Sequence, residues 1–263
     1  MAIVNATPDS FSDGGLFLAA DQAVSHALTC LKQGAHIIDI GGESTRPGAE
    51  SVTDSQEQDR VLPVIEKLAR ETDALISIDT YRASTAKLAV EAGAHIINDV
   101  FGLQKDAGMA GVVAETGAGV CIMHTGRERQ KLPDVIADQF AFLNHSLEIA
   151  NHAGISRQAM VLDPGFGFAK DTDENVALMS RFGELQGFGL PILAGTSRKR
   201  FIGALTGCET AQERDVGTAA TTAILRLAGA VVFRVHNVAM TRDALAITDA
   251  ILKLKKEHQG EAH

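Results

Sequence analysis

An arginine and a histidine interrupt an apolar run near the end of the chain. Residues 229–238 read GAVVFRVHNV, in which Arg234 and His236 lie two positions apart. On a β-strand, side chains two positions apart point to the same face. An arginine almost never enters a core without a partner. The two side chains therefore either leave a fraying strand end for solvent or face a polar pocket at the carboxyl end of the strand, and the sequence favours the pocket.

The frame around Arg234 is found at three places, which read GAHIID at 34–39, GAHIIN at 93–98 and GAVVFR at 229–234. Each glycine is typical of the residue that follows a helix, and the apolar residues after it are typical of a strand. The sixth positions hold Asp39, Asn98 and Arg234. We therefore expect these three polar side chains at one level of the structure, as parts of a ring.

Eight strand-like runs alternate with helix-like patterns. The strands are predicted at 3–5, 36–40, 74–79, 95–99, 119–124, 159–163, 190–195 and 230–235. The helices are predicted at 20–33, 54–70, 83–92, 106–116, 134–153, 173–182, 211–228 and 240–255, with a further short helix near Ser197. Eight such units predict an α/β fold, a (β/α)8 TIM barrel, as a single domain over residues 1–263 that starts at or inside its first strand. A doubly wound open sheet is the alternative, but its glycine fingerprint is not found.

Barrel enzymes place their sites at the carboxyl ends of the strands. Every predicted strand here ends in a polar group, and these groups are Asn5, Asp39, Asp79, Asn98, His124, Asp163, Ser197 with Lys199, and Arg234 with His236. Taken singly, Asp79 and Asp163 could instead cap the helices that follow them. Long connections follow the first two strands, at 6–18 and 41–53. Connections of this length are typical of functional loops, and a surface excursion is the alternative.

Composition bounds the classes of function. The chain has 263 residues and a formal net charge of −9, so no basic surface for nucleic acid is expected. No run of 18 apolar residues is present, so no membrane span is expected, and the apolar start is too short for a signal peptide. Cys30, Cys121 and Cys208 have no metal-like spacing, which favours a reducing, cytoplasmic location.

Eight motifs, in order, cover essentially the whole chain. They are NATPDSFSDGG at 5–15, DIGGESTRPGA at 39–49, SIDT at 77–80, IND at 97–99, MH at 123–124, DPGFGFAK at 163–170, SRKR at 197–200 and RVH at 234–236. Together they resemble the dihydropteroate synthase family of the folate pathway, the target of sulfonamides. Two departures, alanine at position 6 and asparagine at position 237, change no group that the resemblance carries over.

The resemblance implies a condensation of 6-hydroxymethyl-7,8-dihydropterin diphosphate with p-aminobenzoate, giving 7,8-dihydropteroate and diphosphate. It implies that the pterin ring is bound by Asp79, Asn98, Asp163, Lys199 and Arg234, between walls that include Met123 and Phe168. It assigns the diphosphate to Arg234, His236, Thr45 and Asn5, with Asn5 as a ligand of Mg²⁺. It assigns p-aminobenzoate to Ser197, at an expected helix start, and to Phe11, Arg46 and Pro47 on the two long loops.

The implied chemistry is a dissociative substitution, in which Asp79, Lys199 and Arg234 act electrostatically and no side chain acts as a nucleophile. The resemblance also implies a homodimer formed through barrel helices. The roles of His124, Asp39 and Glu43 stay open, with Asp39 and Glu43 as candidate partners of Arg234 or Arg46. The closest alternative is a pterin-binding methyltransferase domain of the corrinoid type, which has no use for the loop motifs or for SRKR. A non-catalytic pterin-binding module and a phosphate-binding isomerase barrel are further alternatives.

Overall fold

Eight parallel strands close into a barrel in the computed structural model, which describes residues 1–7, 15–44 and 51–260. The strands are β1 (Ala2–Asn5), β2 (Ile37–Gly41), β3 (Leu75–Asp79), β4 (Ile96–Asp99), β5 (Gly119–Met123), β6 (Met160–Asp163), β7 (Leu193–Ala194) and β8 (Val232–Phe233). Strands β1 to β6 pair in chain order, and β7 pairs with β8. Single parallel bridges, Leu162 with Ile192 and Ala2 with Val235, join the two groups and close the ring. The predicted barrel is confirmed.

The described helices follow the strands on the outside. They are α1 (Gly15–Lys32), α2 (Asp54–Glu71), α3 (Ala83–Glu91), α4 (Met109–Thr116), α5 (Val135–His152), α6 (Thr172–Ser180), α7 (Arg200–Thr206), α8 (Asp215–Leu227) and α9 (Val238–Gly260). Three helix starts are fixed by side chains that accept backbone N–H groups, at Thr53, Asp134 and Asp171. Among the described residues, no helix combines the length and apolar character that crossing a bilayer requires.

The three repeated frames end three helices in the same way. Gly34, Gly93 and Gly229 have φ of 106°, 117° and 107°, a region that favours glycine. In each frame the glycine N–H donates three residues back and the following alanine N–H donates five residues back, as in Ala35 N to Cys30 O at 3.0 Å. This is the hydrogen-bond pattern of a Schellman cap, which turns the chain from helix into strand.

Strand register places the sixth residues of the frames in one layer of side chains. Asp39 is in register with Ser77, and Ser77 with Ile96, so Asn98 lies two residues further along β4 than the register partner of Asp39. An advance of two residues over two strands is the stagger of an eight-stranded barrel, whose interior layers take one side chain from each alternate strand. The same step leads from Asn98 to Asp163 on β6.

Continued through the two closing bridges, the step reaches Arg234 after β8 and returns to Asp39. The even-numbered strands therefore supply one layer, called here the polar layer, which consists of Asp39, Asn98, Asp163 and Arg234. The ring expected from the sequence is confirmed for Asp39, Asn98 and Arg234, and it gains Asp163. Ile38, Ile40 and Ile76 alternate with the inward-facing residues, so they are buried on the outer face of the barrel strands, against the helices.

Candidate active site

Arg234 joins the polar layer to the end of β3. Its Nε donates to Asp39 Oδ2 at 2.6 Å, and its Nη2 donates to Asp79 Oδ2 at 2.5 Å. Asn98 Nδ2 also donates to Asp39 Oδ2, at 3.2 Å. Since Asp39 is fully buried, the guanidinium is held from below by a charge that water does not screen. The expected pairing of Asp39 with Arg234 is confirmed.

Two carboxylates share this one guanidinium, and their protonation is affected. Burial raises the pKa of Asp79 to about 7, Arg234 opposes that rise, and Asp39 adds to it. Burial alone would lower the pKa of Arg234, but Asp39 and Asp79 raise it above its ordinary value. Arg234 therefore stays charged, while Asp79 can gain or lose a proton near neutral pH.

Asp163 enters the same space from β6. Its Oδ1 accepts the N–H of Gly165 at 2.7 Å. Burial raises the pKa of Asp163, opposed by the Gly165 N–H and then by Lys199 and Arg234. A side-chain carbon built on Gly195 would lie 3.7 Å from Asp163 Oδ2 and 4.0 Å from Arg234 Cβ, so this glycine leaves room between the two groups.

Lys199 precedes α7 and approaches the pocket over an aromatic ring. Its Nζ lies 4.2 Å from the centroid of the Phe168 ring, a distance at which the ring face attracts a cation. Burial lowers the pKa of Lys199 to about 8, Arg234 lowers it further, and Asp163 opposes this. The preceding Arg198 has φ of 57°, in the left-handed region, and its guanidinium is held by Asp215 at 2.7 and 2.9 Å.

A second apolar cluster, separate from the main core, lines the mouth of the barrel. It consists of Val100, Phe101, Met123 and Phe168, with Tyr81 packed against it. Met123 is 2% exposed and Phe168 is 7% exposed. The two residues predicted as apolar walls therefore share one cluster beside Lys199.

Ser197 and His236 form a hydrogen-bonded pair. The N–H of His236 donates to Ser197 Oγ at 3.1 Å, and Ser197 Oγ lies 2.9 Å from His236 Nδ1. The short helix expected near Ser197 is present as α7, but it begins at Arg200 with Lys199 as its N-cap, so Ser197 does not lie at the helix start. The physical reason is that the left-handed turn at Arg198 separates the serine from the helix.

Asn5 stands at the end of β1 with its side chain exposed. A carbon built on Gly41 would lie 3.9 Å from Asn5 Oδ1 and 3.8 Å from Asp79 Oδ2, so two oxygens flank one small gap. Within residues 1–7, 15–44 and 51–260, no group of three or more His, Cys, Asp or Glu side chains is assembled for a metal. The gap nevertheless fits Mg²⁺, which prefers oxygen ligands and takes many of them from water and phosphate groups.

Four residues assigned by the resemblance lie outside the described residues. They are Phe11, Thr45, Arg46 and Pro47. Glu43, at the edge of one of these segments, accepts from Arg82 Nη1 at 2.5 Å and from the Tyr81 hydroxyl at 3.3 Å. Among the described residues Glu43 pairs with Arg82, a partner that the sequence reasoning missed, and not with Arg234. Its other expected partner, Arg46, lies outside the described residues.

His124 lies behind the loop that follows β6. Its ring is fully buried, with Nε2 3.0 Å from Asp138 Oδ2 and Nδ1 2.9 Å from Lys170 Nζ. Sequence reasoning quoted Lys170 within DPGFGFAK but gave it no role. It also missed Arg127, whose guanidinium lies 4.6 Å from the Phe168 ring centroid. No spacing signal marks these two residues, since their partners come from other loops.

Comparisons with known proteins agree with the geometry. Residues 1–236 match the family model described as pterin binding enzyme. A dihydropteroate synthase of Bacillus subtilis is 45% identical over 99% of this chain and 90% of that protein. Dihydropteroate synthase structures from Clostridium difficile, in the presence of pteroic acid, and from Xanthomonas albilineans, with 4-aminobenzoic acid, both superpose with a TM-score of 0.92. Their identities are 46% and 44%, over 95% and 96% of this chain and 95% and 92% of theirs.

Proposed function

This chain belongs to the pterin-binding enzyme family and has dihydropteroate synthases as relatives over nearly its whole length, and on this premise we propose that it joins a dihydropterin diphosphate to p-aminobenzoate. The products are 7,8-dihydropteroate and diphosphate, so the enzyme is a transferase. The observation that carries the proposal is that Asp79 and Lys199 lie beside the polar layer at the carboxyl end of the barrel, where Arg234 binds Asp39 and Asp79 together. The corrinoid methyltransferase alternative is not favoured, since the relatives named are dihydropteroate synthases.

Pterin recognition is assigned to the polar layer. A pterin presents an exocyclic amine and a ring N–H side by side, and the carboxylate of Asp163 is suited to accept both. Asn98 Oδ1 is buried and has no partner among the described groups, which leaves it available for a ring donor. Lys199 is placed to donate to the ring carbonyl and its neighbouring nitrogen. Arg234, whose plane is fixed at Nε and Nη2, is suited to stack on the ring face.

The bond to the leaving diphosphate breaks first, and the resulting positive charge spreads from the methylene carbon into the dihydropterin ring. Asp79, when ionised, stabilises that charge, and the neutral arylamine of p-aminobenzoate then attacks the carbon. The amine nitrogen forms the new bond and loses a proton, and diphosphate keeps the electron pair of the broken bond. No side chain forms a covalent bond, so mass spectrometry should detect no enzyme adduct.

Asn5 and His236 are assigned to the diphosphate, together with Arg234 and the predicted contact of Thr45. Asn5 would hold Mg²⁺ at the gap beside Gly41. When bound, Mg²⁺ supplies charge neutralisation that makes diphosphate a better leaving group. Ser197, whose hydroxyl is hydrogen-bonded to His236, is assigned to the carboxylate of p-aminobenzoate. Phe168 is assigned to the aromatic ring of the same substrate. Phe11, Arg46 and Pro47 remain predicted contacts of the same substrate.

The function is tested by diphosphate release from 6-hydroxymethyl-7,8-dihydropterin diphosphate in the presence of Mg²⁺. We expect sustained release only when p-aminobenzoate is present, and calorimetry should detect p-aminobenzoate binding only when pterin and diphosphate are both present. Each diphosphate released should be matched by one 7,8-dihydropteroate formed. Release without any dihydropteroate, under conditions in which p-aminobenzoate is saturating, would contradict the proposal.

Helices α8 and α9 pack against each other within one chain. We propose that their outer faces form the contact between two chains of a homodimer. Large apolar side chains are exposed there, and on α9 they are spaced along one face: Met240, Ile247, Ile251 and Leu254. Exposed apolar stripes of this kind are typical of surfaces that bind another protein.

Ile247, which is 68% exposed, is the position at which the dimer can be tested. Sedimentation should give the wild type a mass of twice the 27.8 kDa chain, and Ile247→Glu should give the mass of one chain. Val176→Glu, on α6 and 42% exposed in the wild type, is the control and should leave the mass unchanged. A monomeric wild type at micromolar concentration would rule the dimer out.

The three cysteines are free thiols, which supports a reducing, cytoplasmic location for the enzyme. Sulfonamides carry an arylamine like that of p-aminobenzoate, so we propose that they compete for the same slot.

A further inference from the structure

Lys170 closes the loop that begins at Asp163. Its side chain is 8% exposed, and Nζ donates to the carbonyl of Gly165 at 3.0 Å. The N–H of the same glycine donates to Asp163 Oδ1 at 2.7 Å. Gly165 therefore contacts the Asp163 carboxylate through its N–H and the Lys170 ammonium through its carbonyl oxygen.

Gly165 has no room to move. Its φ is 65°, and a carbon built on it would lie 1.9 Å from the carbonyl oxygen of His124. The next residue, Phe166, is fully buried in the main core. Asn175 of α6 holds the rest of the loop, because its Oδ1 accepts from Gly167 N at 2.8 Å and its Nδ2 donates to Lys170 O at 3.1 Å.

The other contact of Lys170 is an imidazole that stays neutral. Burial, with a smaller contribution from Lys170, lowers the pKa of His124 to about 4, and the hydrogen bond to Asp138 opposes this. His124 Nδ1 lies 2.9 Å from Lys170 Nζ and accepts a hydrogen bond from it. Nε2 lies 3.0 Å from Asp138 Oδ2 and 2.9 Å from Arg129 Nη2. Asp138 is in turn held by Arg129 at 2.6 and 2.9 Å.

We propose that Lys170 is a positioning residue for pterin binding: it fixes Gly165, and through Gly165 it holds the Asp163 carboxylate at the angle that the pterin requires. When protonated, Lys170 also places a buried positive charge behind that carboxylate and lowers the pKa of Asp163, although burial lowers the pKa of Lys170 itself to about 7. Burying an ammonium costs several kcal/mol before it is paired. Packing alone would therefore be served as well by an apolar side chain, and the lysine is explained by its effect on Asp163. The inference rests on the proposed function, since that function assigns Asp163 to pterin binding.

The test is Lys170→Met, which leaves an unbranched side chain one atom shorter and removes the charge and both hydrogen bonds of Nζ. We expect kcat/KM for the pterin diphosphate to fall about 10- to 30-fold, the lower part of the range for losing one charged hydrogen bond, because the effect reaches the pterin only through Asp163. The loss should lie mainly in KM for the pterin, and KM for p-aminobenzoate should change less than about twofold. Lys131→Met is the matched control, because Lys131 Nζ donates to Ala169 O of the same loop at 2.7 Å. It should change both KM values less than about twofold.

A double-mutant cycle separates positioning from general stability. If Lys170 acts through Asp163, adding Lys170→Met to Asp163→Asn should lower kcat/KM by less than about threefold further, because coupled residues are not additive. An additive loss in that background would overturn the proposal, as would equal increases of both KM values in the single variant. If Lys170→Met yields no folded protein, Lys170→Gln is measured in the same cycle and judged by the same ratio.

Failure of the proposed function would be recognised separately. A wild type that binds 7,8-dihydropterin but makes no dihydropteroate would refute the condensation and leave the role of Lys170 testable. Calorimetric affinities for 7,8-dihydropterin would then replace kcat/KM in the same cycle. Equal affinities of wild type and Lys170→Met would overturn the positioning role.

Discussion

Replacing Asp163 with asparagine should lower kcat/KM for the pterin diphosphate by about 10²- to 10⁴-fold, since two charge-assisted hydrogen bonds of about 1.5–3 kcal/mol each are affected. The carboxylate accepts the Gly165 N–H at Oδ1, which leaves Oδ2 and the remaining lone pair for the pterin. An asparagine would present an NH2 group to one of two ring donors. Steady-state rates at varied pterin diphosphate, with p-aminobenzoate saturating, measure the loss.

Asp99→Asn is the control for this substitution. Asp99 is also a buried carboxylate at a strand end, but its oxygens accept from Phe101 N and Leu103 N at 2.8 and 2.7 Å. Losing those bonds should lower the melting temperature while the pterin KM stays within about threefold, because the carboxylate holds only the loop that follows β4. The assignment of Asp163 fails if Asp163→Asn binds pterin as tightly as the wild type does.

The fold was predictable because its signals are local. Near-continuous apolar runs mark strands that are buried on both faces, and each frame glycine marks the end of a helix. Strands β7 and β8 were predicted too long: six residues were expected in each, and each has two. Around them Pro191 has no N–H to donate, and the N–H groups of Val231 and Val232 both point to Ile192 O, so regular pairing is interrupted.

The level of the polar layer was also predictable, because a repeated frame in a regular barrel carries its sixth residue to the same place. The supports of the site were not. Arg82 reaches Glu43 across 39 residues, and Lys170 reaches His124 across 46. Such pairs form only where loops that follow different strands pack together, and no periodic pattern in the sequence predicts which loops those are. Ser197 shows the same limit, since a single left-handed residue at Arg198 moved the helix start.

Asp39→Asn should lower kcat by about 10²-fold even though Asp39 lies below the pocket, because Arg234 would lose one of its two charged partners. Both Arg234 Nε and Asn98 Nδ2 donate to Asp39 Oδ2, and Oδ1 has no partner among the described groups. An asparagine could keep these contacts with its carbonyl oxygen, so the shape survives and the charge does not. Leaving Arg234 with Asp79 alone should also cost about 3 kcal/mol of stability.

Ser77→Ala is the matched control inside the barrel. Ser77 is the register partner of Asp39 on β3 and is equally buried. Its loss removes a hydroxyl without changing any charge, so kcat should stay within about twofold. A similar fall of kcat in both variants would mean that disturbed packing, and not the charge of Asp39, is responsible.

The pH dependence identifies the charge directly. Burial sets the raised pKa of Asp79 at about 7, and Asp39 is one of the groups that raise it. Because the ionised Asp79 stabilises the developing cation, kcat of the wild type should rise with pH through about 7, and it should fall again only where Lys199, with its pKa of about 8, loses its charge. Removing the negative charge of Asp39 should lower the pKa of Asp79, so the rising limb of the Asp39→Asn profile should move to lower pH. A limb that stays in place, or moves to higher pH, would show that Asp79 does not titrate beside Asp39 in the reacting enzyme and would remove Asp79 from the chemistry.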